Sequence, residues 1–151
     1  MFKKKSIAIL FLVFALFLAT FNINAIFAES KNNQNYIEIR IVGDKKMGEI
    51  LSWKKVKLEK DETVIDVLKR ATKENKIQME FKGKSGAAYV EGINSLYEFD
   101  RGPKSGWMYK VNGKFPEKSS GSYKLKAKDK VEWLYTENLG KDLGSPIGKN
   151  K

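Results

Sequence analysis

The sequence predicts an α+β fold in which a mixed β-sheet carries one helix on a single face. Three observations lead there. A period-two apolar run opens the domain, one amphipathic stretch of helical period follows it, and several aromatic-rich segments at strand spacing close it. At 151 residues the chain supports one small domain.

In the first run, Ile37, Ile39 and Ile41 alternate with Glu38 and Arg40, as in a strand with one wet face. A second, weaker strand is expected over about Ser52 to Leu58, anchored by Trp53 or Val56, so that the two form a hairpin. In the following DETVIDVLKRATKENK, Val64, Val67, Leu68 and Ala71 share one helical stripe, and Asp61 or Thr63 is a natural N-cap. A short strand is expected over about Ile77 to Lys82. In YVEGINSL, which begins at Tyr89, Gly92 suggests a bulge or a close backbone approach.

Further on, Trp107, Tyr109 and Val111 alternate on one face of WMYKV. Asn112-Gly113 then marks a type I′ turn, because both central residues of that turn need positive φ. Its partner stretch is cut short by Pro116. A last strand sets Val131, Trp133 and Tyr135 on one face, and the periodicity is lost past Thr136. Hairpin, helix and returning strands make the arrangement called a β-grasp.

Ahead of the domain, Lys3, Lys4 and Lys5 precede an apolar run from Ile7 to about Phe21, and small Ala28 follows. This pattern predicts a secretory signal peptide over 1–28. The run is shorter than the roughly 20 residues of a membrane-spanning helix, and Asn22 and Asn24 interrupt it, so an uncleaved anchor is the weaker reading. A flexible leader is expected over 29–35, the domain over 36–137 and a flexible C-terminal tail over 138–151. The protein is thus expected outside a bacterial cell or on its envelope, meeting the membrane only in transit.

The net charge is +11. Removing residues 1–28 takes away three lysines and no acid, which leaves +11 − 3 = +8. The lysines alternate with acids, as in KKVKLEKDE and KLKAKDK, which is the pattern of a solvated surface. With only Arg40, Arg70 and Arg101 as arginines, nucleic acid is not an expected partner.

No histidine or cysteine is present, which excludes Ser-His and Cys-His catalysis and nitrogen or thiolate metal sites. The remaining carboxylate pairs, such as Glu98 with Asp100 and Glu132 with Asp142, sit in ordinary surface contexts, and GKSG at Gly83 to Gly86 is too short for a phosphate loop. The reading is therefore non-enzymatic, without cofactor or metal. The distinctive signal is aromatic: Tyr97, Phe99, Trp107, Tyr109, Phe115, Tyr123, Trp133 and Tyr135 crowd the C-terminal part of the chain. One helix cannot cover them all, so a second apolar surface is expected to serve recognition. Core packing and cross-strand pairing is the alternative for each ring taken singly.

GINSL, GWMYKVNGK and VEWLYTENLGKDLG together resemble the transcobalamin-like C-terminal domain, a β-grasp module of bacterial exported proteins. The resemblance covers roughly Ile37 to Gly144. In the vertebrate vitamin B12 carriers that name the family, this domain and a helical barrel enclose cobalamin between them. The resemblance thus implies a ligand-facing surface at the matching positions Tyr89, Asn94, Trp107, Tyr109, Asn112, Trp133 and Tyr135. It also implies a small-molecule ligand, a corrinoid among them, or a partner protein. These 151 residues contain no helical barrel and no histidine to ligate cobalt, so a corrin held here needs another protein to complete the enclosure. A different reading is a structural or adhesive surface module that holds cell-wall polymer or protein through its lysine-rich face.

Overall fold

The structure is a computed structural model that describes residues 35–146. The expected signal peptide and nearly all of the leader lie outside the described residues. The elements are β1 (Tyr36–Val42), β2 (Glu49–Lys57), helix α1 (Val64–Glu74), β3 (Met79–Lys82), β4 (Tyr89–Ile93), β5 (Leu96–Tyr97), β6 (Gly106–Val111) and β7 (Lys130–Thr136). Short 3-10 turns cover Ser85–Ala87 and Lys141–Leu143.

The strands form two sheets. One has four strands in the order β2-β1-β7-β6, and the other has three in the order β3-β4-β5. In the first, β1 pairs antiparallel with β2 and parallel with β7, and β7 pairs antiparallel with β6. The expected α+β class, hairpin and single helix are all present. The YVEGINSL strand, however, belongs to a second sheet rather than extending the first.

Period two explains the core. Ile37, Ile39 and Ile41 of β1 are fully buried, and their neighbours across β7 are Val131 and Trp133. Against this face packs the stripe of α1, where Val64, Ile65, Val67, Leu68 and Ala71 join the same apolar cluster. Thr63 is the N-cap. The Asp66 carboxylate accepts both its backbone N–H (3.1 Å) and its hydroxyl proton (2.5 Å), closing the first turn. On β2, Val56 is the buried anchor, while Trp53 lies on the surface.

Asn112 and Gly113 both have positive φ, 51° and 76°, and close the tight turn between Val111 and Lys114 through N–H···O bonds of 2.9 and 3.1 Å. At Gly92 both sequence readings hold. The β3–β4 register slips opposite Glu91, and the Tyr97 ring lies so close that a Cβ on Gly92 would come within 2.6 Å of it.

The expected C-terminal tail is corrected in part, since residues 137–146 fold back onto the sheet. The Thr136 hydroxyl oxygen accepts N–H groups of Asn138 (3.1 Å) and Gly140 (2.7 Å) and contacts the Asp142 carboxylate, which also accepts the Glu137 N–H at 2.8 Å. Gly140, at φ 81°, packs against Met108, and Ser145 is buried. Hydroxyl, carboxylate and backbone contacts hold this segment, so apolar periodicity carries no trace of it.

Leu68 is fully buried between helix and sheet. Leu68→Ala is expected to cost about 2–5 kcal/mol, read as a lowered denaturant midpoint, whereas truncation of exposed Lys73 on the opposite face is expected to stay within about 0.5 kcal/mol.

Candidate binding surface

The expected aromatic platform is an internal ladder. Register places Trp107 opposite Tyr135 and Tyr109 opposite Trp133 on the face shared with the isoleucines of β1. Trp107 is 7% exposed and Trp133 is 2% exposed. The Trp107 and Tyr135 rings meet edge-on at 5.3 Å, Tyr109 and Trp133 lie 5.5 Å apart, and Tyr123 closes the row 6.4 Å from Tyr109. The second sheet and the long β6–β7 loop supply the cover that one helix could not.

Most of the seven expected site residues therefore have structural work. The Trp107 indole N–H donates to the Leu96 carbonyl at 2.9 Å and ties the two sheets together. The Tyr109 hydroxyl donates to the Lys118 carbonyl at 2.5 Å, and burial, with Tyr123 beside it, pushes its pKa up to about 12. The Asn112 carboxamide donates to Asp129 (2.8 Å) and accepts the Lys130 N–H (2.9 Å), bracing its own turn. Among the described residues the buried Trp133 indole N–H has no hydrogen-bond acceptor. Tyr89 and Asn94 do face outward. Tyr89 is 46% exposed with its hydroxyl on Glu98, and Asn94 sits in the β4–β5 turn at φ 53°.

Tyr135 matters for what it holds in place. Its hydroxyl donates to the Tyr97 carbonyl at 2.6 Å and lies 2.9 Å from Ser105 Oγ, so a buried strut supports both ends of the loop between β5 and β6. Within that loop Phe99 N–H donates to the Ser105 carbonyl (3.1 Å) and Gly102 N–H to the Phe99 carbonyl (3.0 Å). Arg101 reaches back to Asp44 in the β1–β2 turn, where the Asp44 carboxylate is almost wholly buried and also accepts the Met47 N–H at 2.7 Å. The Met47 N–H, followed by the Arg101 guanidinium, holds the Asp44 carboxyl below its ordinary range against the opposing effect of burial.

This well-braced loop presents Phe99, which is 60% exposed, and beside it the folded-back C-terminal segment presents Leu139, which is 55% exposed. Leu139 N–H donates to the Lys104 carbonyl at 2.9 Å, next to the Ser105 carbonyl that Phe99 uses. Both residues hold left-handed backbone, with φ of 68° and 50°. For bulky side chains that conformation costs about 1–2 kcal/mol each, and exposed side chains recover none of it by packing. Tyr89 approaches the same rim through Glu98. Phe99 was visible in sequence only as one more aromatic, and Leu139 fell in the expected tail. Their backbone state has no sequence signature.

Residues 61–137 match the family described as "Domain of unknown function (DUF4430)". The chain belongs to that family. Among curated proteins no sequence matches it. Among solved structures it is similar to haptocorrin in complex with Cbi, at 18% identity and a TM-score of 0.56 over 70% of this chain. The match spans 26% of the haptocorrin chain, so this protein corresponds to about a quarter of that molecule. It is also similar, at 14% identity and a TM-score of 0.52, to a protein from Ruminococcus gnavus ATCC 29149 provisionally described as a metal binding protein, covering 69% of this chain and 98% of that one. At these identities the likeness is one of fold, and it agrees with the fold that the transcobalamin-like motifs imply. Among the described residues no group of three histidine, cysteine or acidic side chains is placed to hold a metal ion.

The Asp44–Arg101 pair sets a pH dependence. A carboxyl whose pKa is depressed by folding contributes stability above its unfolded pKa and loses it as pH falls through the folded value. Acid unfolding of the wild type is therefore expected to be steeper than that of Asp44→Asn, which is expected to be less stable at neutral pH and to approach the wild type at low pH. Parallel acid titrations followed by tryptophan fluorescence check this.

Proposed function

We propose that this protein is an exported, non-enzymatic binding module whose ligand contacts the rim formed by Phe99, Leu139 and Tyr89. One observation carries the reading: two bulky apolar side chains are held in solvent, on strained backbone, by a loop that buried hydrogen bonds brace from beneath. Backbone strain that local packing does not repay is characteristic of sites built to meet something else. The fold shared with part of haptocorrin, which was solved with Cbi bound, supports a small organic ligand, and a corrinoid is the class to test first. Because this chain corresponds to about a quarter of haptocorrin, the reading includes a second protein that covers the ligand from the other side. Export rests on the N-terminal pattern of lysines, apolar run and Ala28. The absence of histidine and cysteine supports a role without catalysis.

Titration of the purified protein with cobalamin, followed by visible absorbance and calorimetry, is expected to give saturable binding. A flat response up to high micromolar ligand removes the corrinoid. The rim itself is tested by Phe99→Asn and Leu139→Asn, since asparagine accepts left-handed backbone readily. Each is expected to leave the folded protein as stable or more stable by about 0.5–1 kcal/mol while weakening ligand or partner binding. Loss of stability in both variants would show that these side chains serve the fold instead.

A further inference from the structure

The segment that carries Leu139 is seated on a single sulfur. Trp107 faces the core from β6, so Met108 beside it lies on the opposite face of the sheet, next to Leu134 of β7. Residues 137–146 fold back over this place. A Cβ at Gly140 would stand 2.6 Å from the Met108 Sδ, 2.7 Å from the Ser145 Cβ and 3.0 Å from the Met108 methyl carbon, so no heavy atom fits between glycine and sulfur. Met108 is thus the apolar seat of a segment that is otherwise tied by polar contacts, among them the Thr136 hydroxyl with Asp142 and the Lys110 ammonium on the Leu143 carbonyl at 3.3 Å.

The described residues contain three methionines, Met47, Met79 and Met108, all half-buried. The Thr72 hydroxyl donates to the Met79 sulfur at 3.6 Å, and the Asn94 amide donates to the Met47 sulfur at 3.7 Å. Each of these donors engages a sulfur lone pair, and each can also receive an oxygen placed on that sulfur. Among the described residues no donor reaches the Met108 sulfur, so its lone pairs are open to an oxidant. An oxygen added there has no donor to take it, since the Gly140 N–H is already given to the Thr136 hydroxyl at 2.7 Å.

We propose that Met108 is an oxidation site through which a peroxide releases the C-terminal segment, and Leu139 with it. The sulfur lone pair attacks one oxygen of hydrogen peroxide and the O–O bond breaks. The second oxygen leaves as water with both peroxide hydrogens, so that sulfur is oxidised to the sulfoxide and the peroxide is reduced. The polar, larger sulfoxide does not fit beneath Gly140, and the segment lifts. The strands stay folded, because the core and the aromatic ladder lie on the other face of the sheet. Oxidation thereby withdraws one of the two bulky apolar side chains of the rim.

In the test, the full chain is treated with hydrogen peroxide, peptide masses locate the added oxygen, and tryptic cleavage after Lys141 reads the release of the segment. Oxygen is expected on Met108 before Met47 and Met79. Cleavage after Lys141 is expected to become roughly fivefold faster or more, with unchanged circular dichroism and with reversal by methionine sulfoxide reductase. Met108→Leu is expected to keep cleavage slow with and without peroxide. Met108→Gln, which sets a polar group of similar length at the seat, is expected to speed cleavage with no peroxide added. A double variant, Met47→Leu with Met79→Leu, is expected to respond as the wild type does. Oxidation of Met108 without faster cleavage, a response retained in Met108→Leu, slow cleavage in Met108→Gln, or oxidation of Met108 only after the other two would each overturn the assignment. No arm uses cobalamin or a partner protein, so failure here leaves the reading of the rim standing.

Discussion

At the centre of the four-stranded sheet β1 runs parallel to β7, with Ile39 beside Val131 and Ile41 beside Trp133. The helix stripe packs on the face these strands create, and the aromatic ladder exists because β7 carries Trp133 and Tyr135 into register with Tyr109 and Trp107 of β6. Even the exposed rim depends on it, since Tyr135 on β7 is the strut under the loop that displays Phe99. With no disulfide available, this pairing joins the two ends of the domain by hydrogen bonds, apolar contact and the ion pairs of Glu38 with Lys130 and Arg40 with Glu132.

Much of the fold was legible because its elements obey simple periods. The alternation in β1 and β7, the helical stripe from Val64 to Ala71 and the Asn112-Gly113 turn all appear where spacing and turn chemistry put them. What escaped has a common cause. The sequence reveals that aromatics share a strand face but not what covers that face, so buried Trp107 and Trp133 read as a platform. The segment after Thr136 has no period, because one hydroxyl and one carboxylate hold it. Of the expected site residues, Tyr89, Asn94 and Asn112 reach the surface, Asn112 while bracing its own turn, Tyr109 is half-buried, and Trp107, Trp133 and Tyr135 are buried.

The molecule separates rigidity from exposure. The buried Trp107 ties the two sheets together, while the exposed apolar groups Phe99 and Leu139 stand on segments outside the strands, the first on a loop that buried Tyr135 braces. Asp44 is instructive: a buried carboxylate in the first turn of the domain holds Arg101 in the loop that carries Phe99, so the rim is anchored to the hairpin of β1 and β2.

The central parallel pair also sets the timing of folding. Val131 and its neighbours lie more than ninety residues along the chain from their partners in β1, and contacts of such separation cost loop-closure entropy before they return anything. The sheet cannot close until Thr136 is free to join it. The chain is made from its N-terminus, so β1 and the helix stay without their central partner until nearly the whole domain has been made. Through that interval the interleaved lysines and acids of stretches such as KKVKLEKDE oppose association of the unfinished chain.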